Sequence, residues 1–340
     1  MKKIFKQLIL LLVLIVTGQE LAYSQTISKK GTTSAYFLQI HTGTRGSAMG
    51  GAVAGDVNDL SSMFWNVAGL ADVKRSEIMI EQGNMFIDLS HNYLAASVPM
   101  GSGTMGINIT SLTMGEFEET TFDNPKGTGR TFRAYSYAVG LSYAKYLTSD
   151  FKVGVNVKYV NETISYSSAK GLAFDIGTIY KTPFDGIRLG VSITNVGTKM
   201  NMDGEDLITT TDLDKTGSGN YETDVKLYTD RFDLPHMLRV GLAYDAYQSK
   251  DFRATVTVDG TVPSNNIQSL SVGTELSFLN DLIQLRGGIP YIGLDDRIEL
   301  FSGGIGINYP ISTMKVQFGF SYQAFKYLNE ISRISIGIQF

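Results

Sequence analysis

The sequence predicts an all-β protein, a transmembrane antiparallel β-barrel of about fourteen strands with an N-terminal plug. Three observations predict this fold class. Segments of alternating apolar and polar residues recur along the chain, the connections between them alternate between short and long, and no long apolar run follows the first 24 residues. A spanning helix has to cross about 30 Å of hydrocarbon, so any membrane span in this chain has to be a strand.

The first residues have the pattern of a secretory signal peptide. Lys2, Lys3 and Lys6 precede an apolar run over residues 8–16, and a polar stretch ends at residue 24. This run is too short for a membrane anchor. We therefore expect a signal peptide over residues 1–24, an N-terminal periplasmic or hatch segment over residues 25–75, and an outer-membrane barrel over residues 76–340.

Composition excludes several classes of protein. The chain has no cysteine, so we expect no lipid-attachment thiol, no disulfide framework and no thiolate metal site. Its net charge of -4 gives no reason to expect a nucleic-acid partner. A mean hydropathy of +0.00 with 36 glycines is typical of strands that show one face to lipid and the other to a polar interior.

Period-two alternation is clearest at the C-terminus, where Ile334, Ile336, Ile338 and Phe340 alternate with polar residues or glycine. The same pattern predicts fourteen strands, near residues 76–88, 90–100, 103–115, 131–147, 150–166, 170–182, 185–197, 233–247, 251–263, 267–279, 281–291, 297–309, 313–326 and 331–340. Outer-membrane barrels have short periplasmic turns and longer external loops. The connections after even-numbered strands are short, whereas the two longest, 116–130 and 198–232, follow odd-numbered strands.

The two faces of the predicted strands carry different residues. Tyrosines and phenylalanines near strand ends, such as Tyr143, Tyr146, Phe151, Tyr180 and Tyr247, predict aromatic girdles at the two membrane interfaces. The opposite face carries charges that we expect to line the lumen: Lys152, Lys158, Asp175, Arg188, Arg239, Asp245, Arg253, Asp259, Glu275, Arg286, Lys315 and Arg333. A salt-bridged, filled interior and an open solute pathway both agree with this pattern.

The long acidic connection and the histidines do not indicate chemistry. Residues 198–232 are too polar to form a core, and we expect a solvated loop in preference to a calcium site, since the carboxylate spacing matches no EF-hand. His41, His91 and His236 lie far apart without metal-ligand spacing or a nearby nucleophile motif. We therefore expect no enzyme activity, no cofactor and no metal.

A segment rich in small residues precedes the barrel. It contains Arg45-Gly46-Ser47-Ala48-Met49-Gly50-Gly51-Ala52, then Asp59 and Ser61-Ser62, and Trp65-Asn66 through Ala68-Gly69-Leu70. These residues resemble the PorV/PorQ family of Bacteroidota outer-membrane proteins, relatives of the FadL long-chain fatty acid transporter. Val67 stands where that family usually has proline. The motif residues that we carry forward are Arg45, Gly46, Ser47, Met49, Gly50, Gly51, Asp59, Trp65, Asn66 and Gly69.

The resemblance implies a fourteen-stranded barrel with the N-terminal segment folded inside as a hatch. It also implies an accessory role in type IX protein secretion, with the translocon and the C-terminal domains of cargo proteins as partners. The alternative is a FadL-type transporter of hydrophobic small molecules, which predicts an apolar pocket beside the hatch and a lateral opening between strands. A purely structural envelope protein is a third possibility. The other expected partners are outer-membrane lipid and the barrel assembly machinery, which reads a terminal aromatic residue such as Phe340.

Overall fold

In the computed structural model, which describes residues 29–86, 89–212, 222–294 and 297–340, fourteen strands form a closed antiparallel barrel, as the sequence predicted. The first seven are β1 (Glu77–Asn84), β2 (Ser90–Met100), β3 (Gly103–Glu118), β4 (Thr131–Tyr146), β5 (Phe151–Ile164), β6 (Ser167–Lys181) and β7 (Ile187–Gly197). Three short strands follow in one loop: β8 (Asp203–Gly204), β9 (Ile208–Asp212) and β10 (Glu222–Lys226). The barrel then continues with β11 (Met237–Gln248), β12 (Phe252–Pro263), β13 (Ser269–Phe278), β14 (Ile283–Ile292), β15 (Glu299–Ile311), β16 (Met314–Phe325) and β17 (Ile331–Gln339).

Pairing between the first and last strands closes the barrel. Each barrel strand pairs with its neighbours along the chain, β7 pairs with β11, and β1 pairs with β17 in a register that places Ile80 opposite Ile336. Closure leaves no open sheet edge in the hydrocarbon, where an unpaired backbone group would cost several kcal/mol. A closed sheet of this kind is what a membrane-spanning barrel requires.

The outward face is apolar along most strands. On β4 it presents Tyr135, Tyr137, Val139, Leu141 and Tyr143, bounded by charged residues at both ends. Aromatic pairs lie at the end of the apolar band where β5 and β12 begin, including Phe151 with Tyr180 and Phe252 with Phe278. The prediction that Tyr146 belongs to the girdle is wrong. Its ring lies on the inward face of β4, and its hydroxyl donates to Asp72 of the N-terminal segment.

All twelve predicted lumen charges point inward, and most form ion pairs. Lys158 contacts Asp175 at 2.9 Å, and Arg286 contacts Glu275 at 2.8 Å. Facing the lumen, these side chains meet opposite charges, whereas a basic residue facing lipid would cost about 2–4 kcal/mol at the midplane. The salt-bridged, filled interior is thus the arrangement that the structure adopts.

The two ends of the barrel differ, and we name them by their connections. The short-turn end carries the turns after β2, β4, β6, β11, β13 and β15, together with the start of β1 and the end of β17. The long-loop end carries residues 119–130 and the connection that contains β8 to β10. By the usual asymmetry of such barrels, the short-turn end faces the periplasm.

The N-terminal segment lies inside the barrel, and we call residues 29–75 the hatch. It contains 3₁₀ helices at Tyr36–Gln39 and Val67–Asp72, and two short helices, α1 (Thr44–Ala48) and α2 (Ser62–Trp65). It starts at the long-loop end, where the Ser34 amide donates to the carbonyl of Asp233. It finishes at the short-turn end, where the Thr104 hydroxyl donates to the carbonyl of Val73 over 2.8 Å. The predicted signal peptide, residues 1–24, lies outside the described residues.

No helix in the described ranges has the length and apolar character needed to cross a membrane. The C-terminal Phe340 continues the last strand, and its amide donates to the carbonyl of Ser76 over 2.9 Å. Its recognition by the barrel assembly machinery stays a prediction.

Lipid exposure of β17 gives the first testable prediction. Ile334 faces outward near the middle of β17, whereas Ile338 faces outward at its short-turn end. We predict that Ile334→Arg lowers the free energy of unfolding by about 2–4 kcal/mol, and that Ile338→Arg lowers it by about 0–1 kcal/mol. Urea unfolding in phospholipid vesicles measures both values. Equal losses at the two positions would show that the membrane band is placed incorrectly.

Candidate functional site

The candidate site is the lumen with its hatch, and Arg45 anchors the hatch to the wall. The Arg45 guanidinium contacts Glu275 of β13 at 2.9 Å and also pairs with Asp56 of the hatch. Asp56 pairs in turn with Arg188 of β7, so the network joins β13 to β7, three strands further round the wall. Because these groups are buried, removal of one partner would leave a charge without compensation.

Trp65 is the apolar centre of the hatch motif. The indole is 1% exposed, its Nε1 donates to the carbonyl of Thr42 over 2.6 Å, and its ring centroid lies 5.0 Å from that of His41. A Cβ atom at Gly46 would overlap the indole. Gly46 is thus required so that helix α1 can lie directly against Trp65.

The remaining motif residues shape the hatch backbone. Gly50 and Gly51 have φ angles of 64° and 79°, in the left-handed region that favours glycine. Asp59 accepts the amide of Ser61 over 2.8 Å. Gly69 lies so close to the carbonyl of Val57 that a Cβ atom would overlap it. These positions need small or turn-forming residues for reasons of packing and conformation.

Asn66 forms the turn that precedes Val67, the residue at the position where the PorV/PorQ family usually has proline. Its side-chain oxygen accepts the amide of Ala68 over 3.2 Å, which caps the following 3₁₀ helix. Its side-chain nitrogen donates to the carbonyls of Ala54 and Thr178, 2.7 Å and 3.0 Å away. Val67 is buried and takes the next position without disturbing the turn.

The motif therefore holds the hatch in place. Ser47 and Met49 complete it: the Ser47 amide donates to the carbonyl of Gly43 over 3.0 Å, and Met49 is fully buried in one cluster with Val53, Val57 and Trp65. The ten motif residues are placed along one continuous hatch segment that packs against several strands. None of these contacts assigns a catalytic role to them.

Carboxylates of the wall bind backbone amides of the hatch. Glu81 of β1 accepts the amide of Gly43 over 2.9 Å, and Asp259 of β12 accepts that of Ala54 over 2.7 Å. Glu162 of β5 accepts the amide of Ala35 over 2.8 Å near the long-loop end. These hydrogen bonds satisfy hatch backbone that is out of contact with water.

Glycines on the inward face of the wall leave the space that the hatch occupies. A Cβ atom on any of several wall glycines would overlap hatch atoms, among them Gly154, Gly177, Gly190, Gly273, Gly288 and Gly319. The hatch backbone therefore approaches the wall more closely than any other residue type would allow.

The short-turn end of the lumen contains two charged cavities of about 210 and 250 Å³. Both are lined by Asn58, Asp72 and Arg253. Arg253 pairs with Glu275 and with Asp281, at 3.2 Å and 3.1 Å. The ion pairs of Arg45, Arg188 and Arg253 with their acidic partners surround these two cavities, and we call them the charged base.

The long-loop end of the lumen is apolar, and we call this cluster the mouth chamber. Hatch residues Phe37 and Leu38 are 2% and 5% exposed there. Around them lie wall and loop residues Leu112, Ala138, Val160, Ala169, Ala173, Met200 and Leu234, with Met85, Leu89, Met114 and Met202 partly buried against them. Phe117 and Phe132 stack at the rim with ring centroids 5.4 Å apart.

The wall has a pairing gap between β14 and β15. Their register ends at the pair Gly288 and Ser302, although β14 continues along β13 to Ile292 and β15 pairs with β16 from Glu299. The gap lies in the half of the barrel nearest the long loops. Ile289 and Phe301 are exposed on its outer side.

The inner side of the wall gap meets the hatch at His41. The hydroxyl of Tyr291, a β14 residue with φ 54°, lies 3.2 Å from Nε2 of His41, and Gln323 Nε2 lies 3.2 Å from Nδ1. Burial of the His41 ring, with smaller effects from Arg333, Arg239 and His91, lowers its pKa to about 3. The ring is therefore neutral at physiological pH. His41 follows Ile40, which packs against the mouth chamber, so the chamber and the gap are adjacent.

Comparisons with known proteins identify the fold. Among solved structures, the chain is similar to the CymD monoaromatic hydrocarbon channel, with 12% identity and a TM-score of 0.55 over 88% of this chain and 96% of that one. It is similar to the toluene transporter TbuX of Ralstonia pickettii, with 15% identity and a TM-score of 0.54 over 87% and 97%. It is also similar to a FadL homologue of Pseudomonas aeruginosa, with 12% identity and a TM-score of 0.53 over 88% and 98%. The chain has a FadL-like barrel fold. Together with the closed fourteen-strand barrel and its apolar outward face, this confirms the predicted location in the bacterial outer membrane.

No protein-family model matches the chain, and no curated protein does. The FadL side of the predicted resemblance is supported by the structural neighbours, whereas the finer assignment to PorV/PorQ and type IX secretion finds no support among them. Within the described ranges, no group of three or more histidine or acidic residues is arranged to hold a metal ion.

Trp65 is the one tryptophan of the sequence and reports hatch seating directly. We predict that Gly46→Ala shifts its emission to longer wavelength and increases acrylamide quenching several-fold, because the new methyl group overlaps the indole. Gly115→Ala is the matched control, since a Cβ atom there meets no atom within 4 Å. An unchanged spectrum in Gly46→Ala would contradict this packing.

The neutral state of His41 predicts a pH dependence. Its ordinary pKa of 6.5 is restored when the hatch leaves the lumen, so stability from the neutral ring is complete above pH 6.5 and falls as the pH drops toward 3. At pH 5 we expect a loss of about 2 kcal/mol relative to pH 7.5. His41→Gln should remove this part of the slope in urea titrations followed by Trp65 fluorescence. Parallel slopes for the two proteins would contradict the assignment.

Proposed function

We propose that the protein passes hydrophobic small molecules across the outer membrane. The observation that carries this proposal is the apolar cluster of the mouth chamber, which hatch residues fill in this structure and which borders a gap in the wall. The charged base lies on its other side, toward the short-turn end. Structural neighbours described as hydrocarbon and toluene transporters support it, although their low identity concerns the fold alone.

The mouth chamber favours apolar solutes over polar ones. Moving apolar surface from water into such a site is worth about 25 cal/mol per Å². The partly buried methionines Met85, Met114 and Met202 are unbranched and polarizable, so they can repack around ligands of different shape. Phe37 and Leu38 of the hatch occupy the chamber in this structure, so an entering solute has to displace them or pack beside them.

The charged base obstructs an apolar solute that moves along the barrel axis. To pass it, the solute would have to separate pairs such as Arg45 with Glu275 and Arg188 with Asp245. Breaking a buried pair costs about 3–5 kcal/mol, and an apolar molecule provides no replacement contact. The lower-cost route from the chamber is the wall gap, which leads into the bilayer.

A second candidate is the type IX accessory role, with translocon or cargo domains as partners. The hatch that fills the lumen favours it, because a protein that only binds partners needs no solute pathway. Deletion of the gene separates the two candidates when surface display of cargo and uptake of radiolabelled toluene are measured in the same strain. Lost uptake with normal display favours the transporter, and the reverse result favours the secretion role.

The wall gap itself can be tested, because the chain has no native cysteine. We predict that Ile289→Cys with Phe301→Cys, bridged by a short bifunctional thiol reagent, reduces toluene uptake at least about fivefold, since roughly 1 kcal/mol of added barrier has that effect. Ile283→Cys with Ile307→Cys is the control, because these residues face each other where β14 and β15 are already paired. Full uptake with a bridged gap would exclude this route.

A further inference from the structure

The connection between β7 and β11 carries a hairpin, formed by β9 and β10, whose base is fixed to the barrel rim. Asp206 accepts the amide of Tyr166 over 2.8 Å and the hydroxyl of Ser167 over 3.0 Å. The preceding strand β8 pairs with Ser167 and Ser168 of β6, and the Thr229 hydroxyl donates to the carbonyl of Met202 over 2.6 Å. The hairpin thus projects from a rigid support at the long-loop end.

The hairpin has an open edge on each strand. β9 and β10 pair only with each other in the described part of the chain, from Ile208 with Lys226 to Asp212 with Glu222. An isolated two-stranded hairpin is marginally stable in water, and an unpaired edge is a template for another strand. A third strand would add backbone hydrogen bonds that this sheet lacks.

Apolar side chains surround the base of the hairpin and are open to solvent. Tyr228 is 88% exposed and Tyr166 is 76% exposed, and Leu227 and Ile208 are at least half exposed. They are connected through the backbone, since the Leu227 amide donates to the carbonyl of Leu207 and that of Glu205 donates to the carbonyl of Tyr166. Tyr166 lies in the turn between β5 and β6 at the long-loop end, beyond Tyr159, an outward tyrosine of β5.

The charge of this connection selects the kind of partner. Residues 198–212 and 222–236 contain eight acidic and three basic side chains. Two of the bases are used internally, as Lys199 contacts Asp233 and Lys226 contacts Asp203. On β10, Glu222 and Asp224 are exposed and form no ion pair with any described residue. Like charges disfavour pairing with a second copy of the hairpin or contact with anionic lipopolysaccharide.

We propose that the open edge of β10 binds an extended, basic segment of a partner polypeptide by strand addition. Main-chain hydrogen bonds to β10 supply affinity, and alternate lysine or arginine side chains of the partner meet Glu222 and Asp224. The partner's residues between its lysines or arginines are apolar, and the exposed rings of Tyr166 and Tyr228 beside the hairpin cover them. This proposal does not depend on the transport of small molecules.

The test uses the full-length protein in nanodiscs and three peptides of equal length. One alternates lysine and valine, one alternates glutamate and valine, and one is the lysine peptide with alternate backbone nitrogens methylated. We expect the unmethylated lysine peptide to bind at least tenfold more tightly than the other two. Equal binding of the methylated peptide would overturn strand addition, and so would no binding of any peptide at 1 mM, a concentration that detects interactions as weak as about -4 kcal/mol.

A pair of matched variants separates the site from general charge attraction. Glu222→Lys with Asp224→Lys should weaken binding of the lysine peptide at least tenfold. Asp123→Lys with Glu330→Lys makes the same change of charge elsewhere on the long-loop end, at exposed positions outside the hairpin, and should leave binding within twofold of the original. An equal loss in both double variants would overturn the assignment to β10. Toluene uptake should be unaffected by either pair, which keeps this test separate from the proposed transport.

Discussion

The hatch is a stretch of polypeptide enclosed by a sheet, and its backbone polar groups have to find partners inside that enclosure. Short helices satisfy only some of them. Wall carboxylates at Glu81, Glu162 and Asp259 accept hatch amides, and the side chain of Asn66 donates to a carbonyl on β6. The polarity of the lumen thus follows from its contents: an apolar interior could not hold this segment, since each buried group without a partner costs about 1–3 kcal/mol.

The lumen contains two chemically different regions along its axis, one charged and one apolar. Ion pairs around Arg45, Arg188 and Glu275 fill the short-turn end, whereas Phe37, Leu38 and several methionines fill the long-loop end. Hatch residues contribute to both regions, so the division belongs to the hatch as much as to the wall. An apolar molecule that enters from the long-loop end first contacts the apolar mouth chamber and then reaches the ion pairs of the charged base. The gap between β14 and β15 is then the route by which it can leave the lumen without separating those ion pairs.

Local sequence patterns predicted the strands well because alternation reflects a property of each strand alone. The outward isoleucines of β17 and the inward charges of β12 and β13 could be assigned without knowing any partner. The same rule excludes Tyr146 from the girdle, because an offset of three residues from Tyr143 places the two rings on opposite faces of β4. The FadL-type alternative implied an apolar site beside the hatch and a lateral opening, but no residue pattern located either of them, and the β9–β10 hairpin was not predicted. All three arise from register and from contacts between distant segments. The glycine pair Gly287 and Gly303, which face each other beside the gap, is a local signal for its position.

The glycines of the wall hold one part of the hatch more firmly than the other. Gly154 and Gly190 leave a trough on the inner wall that hatch backbone fills, and comparable positions occur on several other strands. If the hatch shifts, the trough becomes space, because no side chain of the wall is there to occupy it. At Gly154 and Gly190 the trough holds residues 67–68 and 54–55, whereas residues 35–41 lie at the mouth chamber and beside Tyr291. A small movement of residues 35–41 would open the mouth chamber toward the wall gap while Arg45 and the glycine trough still hold the rest of the hatch. The strong anchor at one end and the apolar contacts at the other make partial opening less costly than release of the whole segment.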